Sequence, residues 1–364
     1  MAIHMTNQKK FITNKYITLL AFLVILCLIL FSVTQKLFFT DQARADHWLA
    51  TTPQYQYRQK ITLNSSLIAG TLPNFPVFIS FTDANLRSTA SGGFVNPNTF
   101  DIVFASAGPG HPTTSLPHER TSYNSLTGAI TAWVLIPSLS ATTNEIYIYY
   151  GNTSIISSQS NPAAVWGPTG ANYQGVWHLD ELDPCSSLPP PGFLDSTDPT
   201  PTGRHGTCFN APTFATGQLN GARNFIGAAA PSDGINIPSL TLNPIFTYEA
   251  WVRPASPNGL TDFRTIVDNT LVVPQQRWFG TNGTALWFFD GTGMGSFNFM
   301  TLDSFQHVTV VANGTDVQFY RNGGLISGSP PRTFSPITTT FGIGYTPVDT
   351  YLDQYFRGRI DEVR

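Results

Sequence analysis

Apolar and polar residues alternate with a period of two over short stretches along most of the chain, the pattern of half-buried strands. Between residues 46 and 152 these stretches are Tyr57 to Leu63, Phe75 to Phe81, Asp101 to Ala105, Ala129 to Ile136 and Glu145 to Tyr150. The last contains Ile146-Tyr147-Ile148-Tyr149-Tyr150, β-branched and aromatic residues that suit a pleated surface. Residues 153–165 read as a linker or one short turn of helix. From residue 166 the turn chemistry changes: Asn-Gly or Asp-Gly starts at 220, 233, 258, 282, 290, 313 and 322 and nowhere earlier. Such dipeptides accept the positive φ of tight hairpins. They punctuate apolar strands at Phe246 to Val252, Ala285 to Phe289, His307 to Val311 and Val317 to Tyr320. The pattern predicts an all-β chain of two antiparallel, jelly-roll-like β-sandwiches at 46–152 and 166–364.

The first 45 residues differ. Lys9, Lys10 and Lys15 precede the apolar run Ile17 to Val33, and a polar body begins at Asp46. This is the layout of a signal peptide or a signal anchor, one N-terminal hydrophobic helix in either case. The run of 17 residues is at the lower limit for spanning a bilayer. Ala43-Arg44-Ala45 fits the small-x-small rule for cleavage but lies twelve residues past the run. Retention and cleavage both stay open, and both place the body outside the cytoplasm, membrane-anchored through residues 17–33 or secreted.

Charged residues make up 11% of the chain, against roughly 25% in an average soluble protein. From residue 46 onward there are 14 basic and 21 acidic side chains. That balance leaves no basic stripe for phosphates, so nucleic acid is excluded as a partner. Cys185 and Cys208 flank a Pro-rich segment, and in an oxidising compartment they pair. The other reading is two buried free thiols.

Residues 48–152 resemble a bacterial surface family classed only as a domain of unknown function, which often stands beside laminin-G-like jelly rolls. The resemblance rests on Trp48-Leu49, Tyr57 to Thr62, Asn74-Phe75-Pro76-Val77, Asp101-Ile102-Val103-Phe104, His118-Glu119, Ala132 to Pro137 and Tyr149 to Asn152. The second module looks like a concanavalin A-like, laminin-G-type jelly roll. Here the matching pieces are Val176 to Glu181, Asp195-Ser196-Thr197, Gly221 to Phe225, Phe246 to Val252, His307 to Val311, Phe319 to Gly323 and Gly358 to Arg364. The second resemblance implies binding of glycans, proteins or calcium. Members of that family run on past the Asp-Glu-Val-Arg strand, so the chain is expected to stop mid-element.

Glycan hydrolases on such sandwiches need two carboxylates roughly 5 to 9 Å apart. None of the five glutamates has the Glu-x-Asp-x-Glu spacing that would place acids on one strand face. Asp180-Glu181-Leu182-Asp183 comes nearest and reads as a strand end entering a loop. His118-Glu119 reads as a structural pair on an edge strand, and Gly291 to Gly295 as a hairpin tip. Calcium is the expected cofactor, with Asp195 and Asp361 as its ligands, although Asp195 is equally suited to capping a turn. Trp177 and Trp251 read as core, whereas Trp278, Tyr351 and Tyr355 are the aromatic faces expected to meet a sugar. The function expected is non-catalytic binding of a glycan or surface polymer. The alternatives are an envelope-assembly protein contacting other envelope proteins, and a hydrolase or its accessory module.

Overall fold

A computed structural model describes residues 55–364 apart from 107–114, 183–184, 186–192, 201–202, 228–232, 258, 270–274, 291–293, 329–331 and 348–353. The apolar run 17–33, the Ala43-Arg44-Ala45 site and Tyr351 lie outside the described residues. Among the described residues, no helix is long and apolar enough to cross a membrane.

The first module holds β1 (Tyr57–Thr62), β2 (Leu72–Thr82), β3 (Val103–Ser106), β4 (Ser115–Leu116), β5 (His118–Asn124), β6 (Ala129–Leu139) and β7 (Glu145–Tyr150). They form a four-stranded sheet, β1-β7-β3-β4, and a three-stranded sheet, β2-β6-β5. The inward residues alternate as the sequence predicts: Ile146, Ile148 and Tyr150 of β7 face Ile130, Ala132, Val134 and Ile136 of β6 across one core. Gly151 adopts φ +82, and this turn lets the Asp101 carboxylate accept hydrogen bonds from the N–H groups of Gly151 and Asn152.

Residues expected as a linker end in a short helix, α1 (Pro162–Trp166), capped by the Asn161 side chain. Val165 and Trp166 of this helix are buried. They pack with Trp133, Leu135 and Val176 in a separate apolar cluster between the modules.

The second module contains β8 (Thr207–Phe209), β9 (Thr213–Thr216), β10 (Gly221–Phe225), β11 (Gly234–Leu242), β12 (Phe246–Pro254), β13 (Phe263–Asn269) and β14 (Trp278–Asn282). It continues with β15 (Ala285–Phe289), β16 (Met294–Asn298), β17 (Gln306–Ala312), β18 (Val317–Arg321), β19 (Gly324–Gly328), β20 (Ile337–Ile343) and β21 (Gly358–Asp361). Two seven-stranded antiparallel sheets result, β19-β18-β17-β12-β21-β10-β9 and β16-β15-β14-β13-β20-β11-β8. Period-two alternation is clearest on β12, where Phe246, Tyr248, Ala250 and Val252 point into the core. Thr247, Glu249 and Trp251 face outward. Trp251, expected in the core, is only half-buried there, its ring beside His307.

Asn-Gly turns join β14 to β15, β17 to β18 and β18 to β19; in the last, Asn322 and Gly323 have φ of 49° and 79°. Asp233-Gly234 opens β11 instead of turning a hairpin, because the Asp233 carboxylate is bonded to the Ile226 N–H. Cys185 and Cys208 form a disulfide, with Cα atoms 5.5 Å apart and a sequence separation of 23. Closing a loop of that size stabilises the fold by about 3 kcal/mol in the chain-entropy treatment. Reduction, or a Cys185→Ser/Cys208→Ser double change, is expected to lower Tm by roughly 6 to 10 °C. Calorimetry with and without reductant checks this, and an unchanged Tm would refute it.

Candidate functional site

Where the first module meets the second, five ionisable side chains are strung in one line. Glu119 lies on β5, His178 in the segment leading into the second sandwich, Glu362 and Arg364 beyond β21, and Glu249 on β12. The Glu119 carboxylate accepts hydrogen bonds from Trp166 Nε1 at 2.5 Å and Ser196 Oγ at 2.8 Å. His178 Nε2 is 2.9 Å from Glu119 Oε2, and its Nδ1 is 2.8 Å from Glu362 Oε2. Arg364 donates to Glu362 at 2.6 Å and to Glu249 at 3.0 Å. Its guanidinium lies 4.5 Å from the Trp133 ring centre and 5.0 Å from that of Trp166.

Burial by itself would strip the proton from His178. The Glu362 and Glu119 carboxylates outweigh it and hold the imidazole well above its ordinary value. Burial likewise works against ionised Glu119, but the His178 charge and the hydrogen bonds from His178, Trp166 and Ser196 bring its pKa below the usual carboxylate range. The imidazolium therefore donates to both carboxylates. His118 and Glu119, read together as an edge-strand pair, part company. Their side chains leave β5 on opposite faces, and the His118 ring packs against Phe104.

Arg364 and Glu249 also form one wall of a cleft of about 460 Å³. Its floor is built by Ile237, Tyr248, Val267, Phe341 and Ile343, contributed by both sheets of the second sandwich. Asn172, Gln174, Asn243 and Thr247 stand exposed at its mouth, and Tyr173 and Trp177 close one side. Trp177 is fixed by donation from Nε1 to the Arg204 carbonyl, with its ring against Gly175, where a Cβ would come within 2.2 Å of it. Glu249 is the one carboxylate among the described lining residues.

The residues singled out from sequence do not converge on this cleft. Asp195 Oδ1 accepts from the N–H groups of Val176 and Thr197 and from the Thr197 hydroxyl, and Oδ2 faces Arg204 at 3.4 Å. That is the turn-capping alternative. Asp361 Oδ2 accepts from the N–H groups of Gln218 and Leu219, and burial beside Glu362 pushes its pKa up to about 8. Among the described residues no three His, Cys, Asp or Glu side chains are grouped to hold a metal. Trp278, expected to be exposed, is 2% accessible, because its indole N–H reaches the Thr265 hydroxyl at 2.7 Å. Tyr355 is half-buried, its carbonyl accepting from Arg264, and it does not line the cleft. Glu181 binds the Leu194 N–H, and burial raises its pKa to about 7.

Residues 229–364 match the family model described as the concanavalin A-like lectin/glucanases superfamily. No curated protein matches the sequence. Among solved structures, domain 4 of AbnA, a GH43 extracellular arabinanase from Geobacillus stearothermophilus in complex with arabinotriose, is 20% identical with a TM-score of 0.40. That alignment covers 52% of this chain and 90% of the other. A botulinum neurotoxin type C structure, whose cell entry is described as dependent on two ganglioside molecules, is 15% identical with a TM-score of 0.34. The binding domain of Paraclostridial Mosquitocidal Protein 1 is 14% identical with a TM-score of 0.35. Each of these two alignments covers 47% of this chain, and they reach 44% and 45% of the other chains.

A histidine whose pKa is raised in the folded state stabilises in full below its unfolded value near 6.5. That stability is lost as pH climbs through the raised value. Removing His178 strands two buried carboxylates, a change that costs about 3 to 5 kcal/mol. His178→Gln is therefore expected to be destabilised by about that amount at pH 6 and to converge toward the wild type at alkaline pH. Urea midpoints from pH 6 to pH 10 give the difference directly. Asp268, raised to about 8, lowers the stability of both proteins alike over pH 4 to 8 and cancels in the comparison. A pH-independent difference would contradict the assignment.

Proposed function

We propose that this chain is a non-catalytic glycan-binding protein that holds a sugar of a surface polymer in the cleft between residues 171–175 and β12. The observation that carries the reading is the polarity of the cleft. Amide and hydroxyl groups at the mouth (Asn172, Gln174, Asn243, Thr247) supply donors and acceptors matching sugar hydroxyls. The half-buried Tyr173 ring and the exposed Ile245 offer apolar surface for the C–H face of a pyranose. Its volume lies within the range of small-molecule sites.

The single lining carboxylate, Glu249, is bound by Arg364, which supports binding over hydrolysis because glycoside cleavage calls for a pair of carboxyl groups. Scarce surface charge favours an uncharged ligand recognised by hydrogen bonds. The Cys185–Cys208 bridge and the basic-then-apolar leader support work outside the cytoplasm. One observation favours the envelope-assembly alternative: Phe209 and Phe214 stand 40% and 45% exposed on the edge strands β8 and β9.

A glycan array with the full extracytoplasmic part, run with millimolar calcium and with chelator, tests the proposal. Retention of a neutral glycan is expected under both conditions. Gln174→Ala/Asn243→Ala is expected to weaken that glycan about tenfold, the loss of roughly 1.4 kcal/mol of hydrogen bonding, with Tm unchanged. No retained glycan, or one bound equally well by the double variant, would defeat it.

A further inference from the structure

We infer that Glu119, in the first module, is a positioning residue for the cleft in the second, so that the two sandwiches form one composite binding site. The inference rests on the cleft being the ligand site and adds to it the part played by the first module. Arg364 lines the cleft, yet its side chain is buried, and among the described residues of its own sandwich Glu249 and Glu362 are the carboxylates that fix its charged end. Glu362 is oriented in turn by His178, and His178 by Glu119. Glu119 is held in turn by Trp166 of α1 and by Ser196, so the line passes through a side chain of the first module. Trp133 of β6 adds a second anchor by lying against the same guanidinium.

The backbone carries an independent sign of this arrangement. Leu179, next to His178, has φ of 63°, and Glu362 has φ of 54°. Neither is glycine, and a left-handed conformation at such residues is held only where surrounding contacts over-determine it. Both lie at the centre of the charged line, where the Glu362 N–H is 3.4 Å from the His178 carbonyl. The contacts along the line hold that conformation, so the 362–364 segment stays turned with Glu362 facing the junction while Arg364 reaches Glu249 at the cleft.

Glu119→Gln in the full chain tests the inference. Glutamine keeps one oxygen to accept from Trp166 and can turn its amide N–H toward the Ser196 hydroxyl, but it no longer balances the imidazolium. Two readouts apply: the affinity for the glycan retained on the array, and amide hydrogen exchange over residues 171–175 and 243–249. Affinity is expected to fall about tenfold, within the usual span of coupling between sites. Exchange at the cleft is expected to quicken beyond that of Ile148→Val, a core variant serving as the stability control. In an Arg364→Met background the further effect of Glu119→Gln on affinity should vanish, because both act through one side chain. Cleft exchange no faster than in the control, unaltered affinity in folded Glu119→Gln, or full additivity with Arg364→Met would each overturn the inference. Should the wild type bind no glycan, the ligand reading falls, while the exchange comparison still decides whether Glu119 orders the cleft.

Discussion

Taking Glu119 and Glu362 out of water is the constraint from which the arrangement at the junction follows. Each buried carboxylate needs a cation and a full set of donors, or it takes up a proton and the charge disappears. His178 serves both at once through its two ring nitrogens, and Arg364 serves Glu362 and Glu249 together. Three carboxylates and two cations from two sandwiches thus alternate along one line, and the aromatic rings of Trp133 and Trp166 wall them from solvent. No member can move without stranding the next.

The strands were legible because local rules dictate them. β7 and β15 begin and end where period-two alternation predicts, at Glu145–Tyr150 and Ala285–Phe289. Several hairpins fall at Asn-Gly pairs for the same steric reason. Asp233-Gly234 escaped that rule because a carboxylate that can reach a neighbouring N–H has an alternative to the turn. The disulfide was legible from the count of cysteines, since only two lie beyond the apolar run 17–33.

The site was far less legible. Glu119 and His178 stand 59 residues apart and His178 and Glu362 stand 184 apart, distances over which no spacing rule operates. The one available signal was a titratable residue set inside an apolar strand, as His178 is in Val-Trp-His-Leu, because such a residue must find a partner when the strand is buried. Trp278 misled for a related reason. A tryptophan beside a hairpin looks exposed until a partner for its N–H is known, and here Thr265 provides one while Gly280 leaves space for the ring. Asp195 and Asp361 were singled out as hard-cation ligands, but backbone N–H groups had a prior claim on both.

Charge is scarce over this chain and concentrated at the junction, and that distribution bears on what the two modules do for each other. An apolar seam of the same area would hold the sandwiches at least as firmly, since buried ion pairs add little net stability over well-packed hydrocarbon. Hydrocarbon contacts, however, tolerate sliding, whereas each hydrogen bond along Glu119, His178, Glu362 and Arg364 has a direction and a length that a shift would spoil. The charged line therefore selects one relative placement of the modules. Because its last member, Glu249, stands in the cleft wall, the same placement sets the shape and polarity that a ligand meets.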